Sequence, residues 1–247
     1  MAIHRMSVKY YLKSIYLWLC YHIFHNHKSK VIFYHDIHDE TVYTDMGTHI
    51  TIFKEHINTI LNQGFEIVPK ITKKYRQISI CLDDGFRGVW DNRDFFNDNN
   101  IKPTIFIAVD LIGKDGYLNI EEIKELYRLG FNFQGHSWTH TNLTKYSQEE
   151  LYKELFLSKQ AIETLTNNEI SEICFPQGFY SDLVVEEARK AGYTKLYTSD
   201  PKPFCHRVEE DLIPRYLVQD ASARLLKYII MGGMDSLYSY YNNYHKK

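Results

Sequence analysis

The sequence predicts an α/β fold in which parallel strands alternate with helices, either as a barrel or as a doubly wound sheet. Three observations carry that expectation. Apolar runs of strand length ("KVIFY", "QISICL", "TIFIAV", "EICF") are separated by longer stretches with helical spacing. A joint of helix, glycine, aromatic residue and strand recurs at Gly64–Phe65, Gly130–Phe131 and Gly192–Tyr193, where the glycine ends the helix. No Ser/Gly/Pro-rich linker divides the 247 residues, and α/β barrels of that size are commonly single domains.

The elements follow in order. Between Ile15 and Phe24 the chain is apolar, with Lys9 and Lys13 before it and His25, His27, Lys28 and Lys30 after it. That stretch is short for a bilayer span and lacks the small-residue cleavage site of a signal peptide. Residues 1–29 are therefore expected as a helical segment. It either packs on the domain or lies in a membrane interface with basic flanks. Residues 30–247 form the main domain. Its strands are expected at Lys30–Tyr34, Gln77–Leu82, Thr104–Val109, "FNFQG", Glu172–Phe175 and Leu212–Leu217, and one opens at Tyr193. Helices fit Ile52–Leu61, Val89–Asn100, "NIEEIKELYRLG", Gln148–Thr166, "DLVVEEARKAG" and Ala221–Met231. The last stretch, with His245, reads as a frayed tail.

Bulk properties exclude several classes. A 44% hydrophobic, 24% charged chain is globular, and a net charge of -2 gives no general attraction for nucleic acid. Cys20, Cys81, Cys174 and Cys205 show neither metal spacing nor a disulfide framework. This fits a reducing compartment, so the expected location is cytoplasmic, with peripheral contact to the inner membrane through the N-terminal helix.

In a parallel barrel the chemistry belongs at the C-terminal strand ends. Asp83 and Asp84 follow "QISICL", His136 follows "FNFQG", Pro176 and Gln177 follow "EICF", His35 follows "VIFY", and Arg215 sits in "LIPR". Two adjacent carboxylates raise each other's pKa unless something compensates. The Asp-Gly dipeptide alone reads equally well as a turn. With His136 and His140 nearby, a cation resolves the repulsion: one carboxylate binds it and the other stays free as a base.

"CLDDGF", "HSWTH" and "FPQG", in that order, resemble the first three motifs of the polysaccharide deacetylase family, the NodB-homology domain of carbohydrate esterase family 4. The upstream "VIFYHDI" is similar to the circularly permuted, exopolysaccharide-synthesis branch. The resemblance implies a deformed (β/α)7 barrel and metal-dependent removal of an N-acetyl group from an amino sugar. It also implies roles: Asp83 as general base, and Asp84, His136 and His140 as ligands of one divalent ion, zinc first, with cobalt, nickel or iron suiting the same donors. The Gln177 N–H would hold the oxyanion, and His35 would be the general acid of the permuted branch. Pro176, Gln177, Arg215 and Trp138 are candidates to meet the N-acetylated saccharide. Trp138 reads equally as packing under its loop. Cys174 stands where family members often carry the Arg that orients the base, and Arg215 is the candidate substitute. The alternatives are a non-catalytic glycan-binding protein of this fold and an amide hydrolase for a non-sugar.

Overall fold

The computed structural model describes residues 8–247; the first seven residues of the expected 1–29 segment lie outside them. The chain runs through α1 (Val8–Phe24), β1 (Lys30–Tyr34), β2 (Asp36–His38), β3 (Gly47–His49), α2 (Ile50–Asn62), β4 (Glu66–Ile67), β5 (Gln77–Leu82), β6 (Thr104–Ile107), β7 (Asn132–Gly135), β8 (Glu172–Cys174), β9 (Lys195–Tyr197), β10 (Leu212–Ile213) and β11 (Arg215–Leu217). Helices fill most of the longer connections between the strands.

The main sheet is parallel throughout and is ordered β10-β9-β8-β7-β6-β5-β1-β11, with β4 beside the start of β5. Its two outermost members are halves of one stretch of chain. β10 pairs with β9, and β11, one residue later, pairs with β1. Only Pro214 separates them, and proline has no N–H to give to a ladder. With β4 set aside and the β10–β11 stretch counted as one, the sheet has the seven parallel strands expected of the deformed barrel, and its hydrogen bonding is left open at Pro214.

Strand residues alternate between two cores, as a period of two requires. Val31, Phe33, Cys81, Phe106, Cys174, Tyr197 and Ile213 fill the interior. Ile32, Tyr34, Ile80, Leu82, Ile105, Ile107 and Ile173 pack outward against the helices. The expected joints are present, with Gly64, Gly130 and Gly192 at φ 74°, 88° and 88°. Helices start where side chains can cap them: Asn119 with Glu122 and Ser147 with Glu150 form capping boxes.

Several expected helices are interrupted. The 89–100 stretch is two short helices, Gly88–Asp91 and Arg93–Asp98. The 148–166 helix winds as a π turn over Tyr152–Leu157, and the helix Ala223–Tyr228 passes into a π turn at Ile229–Gly233. The frayed tail is corrected: Tyr238–His245 is helical and His245 is buried. The backbone of Tyr180 holds that end by accepting from the Lys247 N–H and donating to the His245 carbonyl.

α1 lies on the domain through Leu17 and Cys20, both buried. Gly233 permits this approach, because a Cβ there would stand 2.6 Å from the Leu17 carbonyl oxygen. Among the described residues, no helix is long and apolar enough to cross a membrane.

Candidate active site

The site is built at the C-terminal ends of β1, β5, β7, β8 and β11. Asp83 continues the inward register of Cys81, and its N–H donates to the Tyr34 carbonyl oxygen at 2.9 Å. Successive residues of an extended chain face opposite sides, so Asp84 would point outward. It does not, because the chain turns through left-handed conformations at Asp84 (φ 72°) and Gly85 (φ 76°). Both carboxylates therefore line one cleft.

His136 leaves β7, and its Nδ1–H donates to the Cys174 carbonyl oxygen at 2.7 Å. That bond fixes the tautomer, leaving the Nε2 lone pair 3.1 Å from Asp84 Oδ1. His140 Nε2 is 2.8 Å from the same oxygen. The loop between the histidines is held from outside, where buried Glu154 accepts the N–H groups of Trp138 and Thr139 at 3.1 and 3.0 Å. Seven non-glycine residues among those described have positive φ, and four of them, Asp84, Ser137, His140 and Gln177, stand here. Strained backbone of this kind persists where the surroundings over-determine it, and it clusters at functional sites.

The donor set suits a divalent cation. Asp84 Oδ1 is buried, lies close to both imidazoles and has hydrogen-bond geometry with neither. One carboxylate oxygen and two ring nitrogens thus stand within ligand distance of one another. Burial alone would raise the Asp84 pKa, but His136 and His140 hold it well below the carboxylate range. Burial alone would lower that of His140, and Asp84 reverses this and raises it. A second cluster, Asp83, His136 and Cys174, also has three ligand atoms close together, but a cation already occupies it. Arg215 Nη1 and Nη2 donate to Asp83 Oδ1 and Oδ2 at 2.6 and 2.8 Å, and Nη2 also lies 2.8 Å from Cys174 Sγ. Burial raises the Asp83 pKa, and Arg215 brings it below the ordinary value.

Arg215 is fully buried in the barrel, with its guanidinium 4.1 Å from the Phe33 ring centre and 5.4 Å from that of Phe106. It therefore braces Asp83 and does not line the cleft, which corrects its expected contact with saccharide. Trp138 is also absent from the lining: Lys153 lies over its ring at 5.3 Å. Pro176 is buried beneath the turn, whereas Gln177, at φ 59°, is exposed and lines the cleft. His35 lines it too, with Nδ1 2.5 Å from Gln219 Oε1.

Two residues escaped the sequence. His245 lines the cleft beside Gly178, its Nδ1 2.6 Å from Asp200 Oδ1, and Tyr180 and Asn242 donate to the other Asp200 oxygen. The available signal was Asp200, polar and following the "KLY" strand, the same criterion that found the other site residues.

The model of the family described as Polysaccharide deacetylase matches residues 70–196, just over half of the chain. YxkH of Bacillus subtilis, itself named as a polysaccharide deacetylase, is 24% identical over 160 residues, covering 60% of this chain and 57% of that protein. The peptidoglycan-N-acetylglucosamine deacetylase PgdA of Listeria monocytogenes is 29% identical over 125 residues, covering 49% of this chain and 25% of that protein. The chain thus spans little more than half of one relative and a quarter of the other. In fold it is similar to a polysaccharide deacetylase from Bacillus cereus, with a TM-score of 0.71, 24% identity, and coverage of 82% of this chain and 69% of that one. With the motifs assembled at one barrel mouth and the family match spanning four of its strands, the chain belongs to the polysaccharide deacetylase family.

Proposed function

We propose that the protein is a metal-dependent N-deacetylase acting on an amino sugar in a surface glycan or its biosynthetic precursor. The observation that carries this reading is the convergence of Asp84, His136 and His140 on one buried oxygen without a hydrogen bond, next to a second carboxylate kept ionised by Arg215. The likeness to PgdA, named for N-acetylglucosamine deacetylation, supports the amide of an amino sugar as the target. The position of His35 at the cleft, upstream of every other motif, supports the permuted exopolysaccharide-type branch.

A divalent ion on Asp84, His136 and His140 would supply Lewis acidity toward the amide carbonyl and toward water. Zinc suits two imidazoles and a carboxylate, as do cobalt, nickel and iron. Asp83 accepts the proton of the attacking water, and Arg215 keeps it deprotonated and aimed. The Gln177 N–H donates to the oxyanion as the tetrahedral centre forms. The leaving nitrogen needs a proton, which His35 gives from the β1 side. His245 is a second candidate for that step, because it lines the same cleft and Asp200 holds its Nδ1 at 2.6 Å. The Cys174 departure, which would favour a non-catalytic glycan-binding protein, loses its force where Arg215 fills the vacated role. We place the protein in the cytoplasm with α1 against the inner membrane.

The test is metal stoichiometry by elemental analysis on wild type beside His136→Ala, followed by acetate release from N-acetylated glycans. About one ion per chain, lost in the variant, is the expected result. A chain that takes up no zinc, cobalt or nickel would be the glycan-binding protein instead. A chain that binds the ion and hydrolyses only non-sugar amides would be the other alternative.

A further inference from the structure

The cleft, about 490 Å³ in volume, has two chemically different parts. His35, Asp83, Asp84, His136, His140 and His245 furnish the polar part. Met46, Leu217, Leu225, Ile229 and Met234 furnish an apolar part, and Lys13 of α1 and Asp220 are also among the lining residues. A sugar is rich in hydroxyls, and a wall of Leu, Ile and Met offers them no partner. The apolar part therefore calls for an apolar portion of the substrate.

The outward face of α1 has the same character. Leu12, Ile15, Trp18, Leu19, Ile23 and Phe24 are each 45–69% exposed, an area that isolated surface residues do not make. A second groove of about 430 Å³ runs along this helix, and Leu225 lines both hollows, so they adjoin. Away from the candidate metal and base residues, the charged residues lining the two hollows are Lys13, Arg224 and Asp220, and Lys227 lies over the Tyr21 ring of α1. The neighbouring helix Ala223–Tyr228 carries Arg224 and Lys227 and no acid. Cations around an apolar, Trp-bearing helix complement an anionic lipid surface.

Building on the deacetylase reading, we propose that α1 rests on an anionic bilayer and that the substrate is a lipid-linked saccharide. Its amino sugar sits at the Asp84, His136 and His140 end. The first part of its lipid chain lies along Leu217, Leu225, Ile229 and Met234, and Lys13 meets the phosphate that joins the two.

Three measurements on the full-length, zinc-loaded protein test this. Co-sedimentation with phosphatidylglycerol-containing vesicles should exceed that with pure phosphatidylcholine by roughly tenfold. Ile15→Ser/Trp18→Ser should abolish it while leaving the melting temperature in place, since both side chains are exposed. Absence of sedimentation overturns the proposal, and so does sedimentation that the double variant retains. A self-associated form that these substitutions dissolve would instead assign the face to a second copy of the chain. Farnesyl phosphate should raise the melting temperature, and less so for Leu217→Ser; no rise overturns the lipid site without any need for turnover. Finally, N-acetylglucosamine linked through pyrophosphate to farnesol should be deacetylated with kcat/KM roughly tenfold above soluble N-acetylglucosamine oligomers. Equal values overturn the lipid-linked substrate and leave the deacetylase intact. No acetate from either compound counts against the deacetylase itself, and the two binding measurements still decide the lipid claim.

Discussion

Asp83 and Asp84 are chain neighbours with opposite duties, and substitutions separate them. Asp83→Asn removes the base and no proposed ligand, so it should keep about one ion per chain while turnover falls roughly 10²–10⁴-fold; a wild-type rate would end the base assignment. Arg215→Met leaves the buried Asp83 carboxylate unpaired and should cost about 3–5 kcal/mol of stability. It also removes the cation that brings the Asp83 pKa down, so the acid limb of the kcat/KM profile should move to higher pH, a shift that loss of packing alone does not produce. The proton donor is settled by comparing substrates. His35→Ala should slow amide cleavage more than cleavage of an activated acetate ester, whose leaving group needs less protonation. Equal losses, with the amide-selective loss appearing in His245→Ala instead, would transfer the role. Asp36, next to His35, is 1% exposed with neither carboxylate oxygen in hydrogen-bond geometry. Burial raises its pKa from 3.8 to about 6, against the pull of His38 and of the Ile37 and Gly88 amides. A folded pKa above the unfolded one favours the protonated form in the fold. Its contribution is complete below the unfolded value and is lost as pH rises through about 6, amounting to about 3 kcal/mol. Wild type should therefore lose melting temperature relative to Asp36→Asn between about pH 4 and pH 6, and parallel curves would refute this.

At the scale of elements, the site depends on a π turn. Tyr152–Leu157 carries Glu154 inward to the N–H groups of Trp138 and Thr139, fixing the loop that presents His140. Glu154→Ala should loosen zinc binding roughly 10–100-fold, as loss of an outer-shell partner typically does, measured by competition with a chromophoric chelator. Unchanged affinity would make the contact purely structural. Such a turn was not legible in "QEELYKELFLSKQAIETLT", because its apolar spacing suits an uninterrupted helix equally well. The strands were legible. An apolar run such as "QISICL" marks a buried strand, and the polar residue just beyond it falls at the barrel mouth, so the positions of Asp83, Asp84, His136 and His35 follow from the sequence. Contacts across the barrel were not. Arg215 reaches Asp83 from 132 residues away through the pairing of β11 with β1, and no local pattern encodes that register. His245 was misread for the same reason, since its partner Asp200 lies 45 residues upstream and the packing of the last helix is a tertiary fact.

For the whole molecule, the ligand set makes metal binding a cross-link of the barrel. Asp84 follows β5, whereas His136 and His140 follow β7, and β6 lies between these two strands in the sheet. An ion shared by the three donors ties together strand ends that are not hydrogen-bonded neighbours. It does so over a buried oxygen that otherwise lacks a hydrogen bond. Without the ion, that oxygen relies on ion pairing with the two imidazoles alone, so the apo barrel should be softest at this mouth. Free zinc at about a thousand times its Kd stabilises the native state by about 4 kcal/mol through mass action. For a chain of this size, each kcal/mol raises Tm by about 2–4 °C, giving an expected rise of about 8–16 °C. Scanning calorimetry with and without chelator measures it. Asp83→Asn should show the full rise and His136→Ala little of it, because only the second loses a ligand. If His136→Ala gained as much as wild type, zinc would be binding elsewhere and the assignment of Asp84, His136 and His140 would fail. If Asp83→Asn lost the rise as fully as His136→Ala, the ion would belong to the Asp83, His136 and Cys174 cluster that Arg215 now fills, and base and ligand would exchange places.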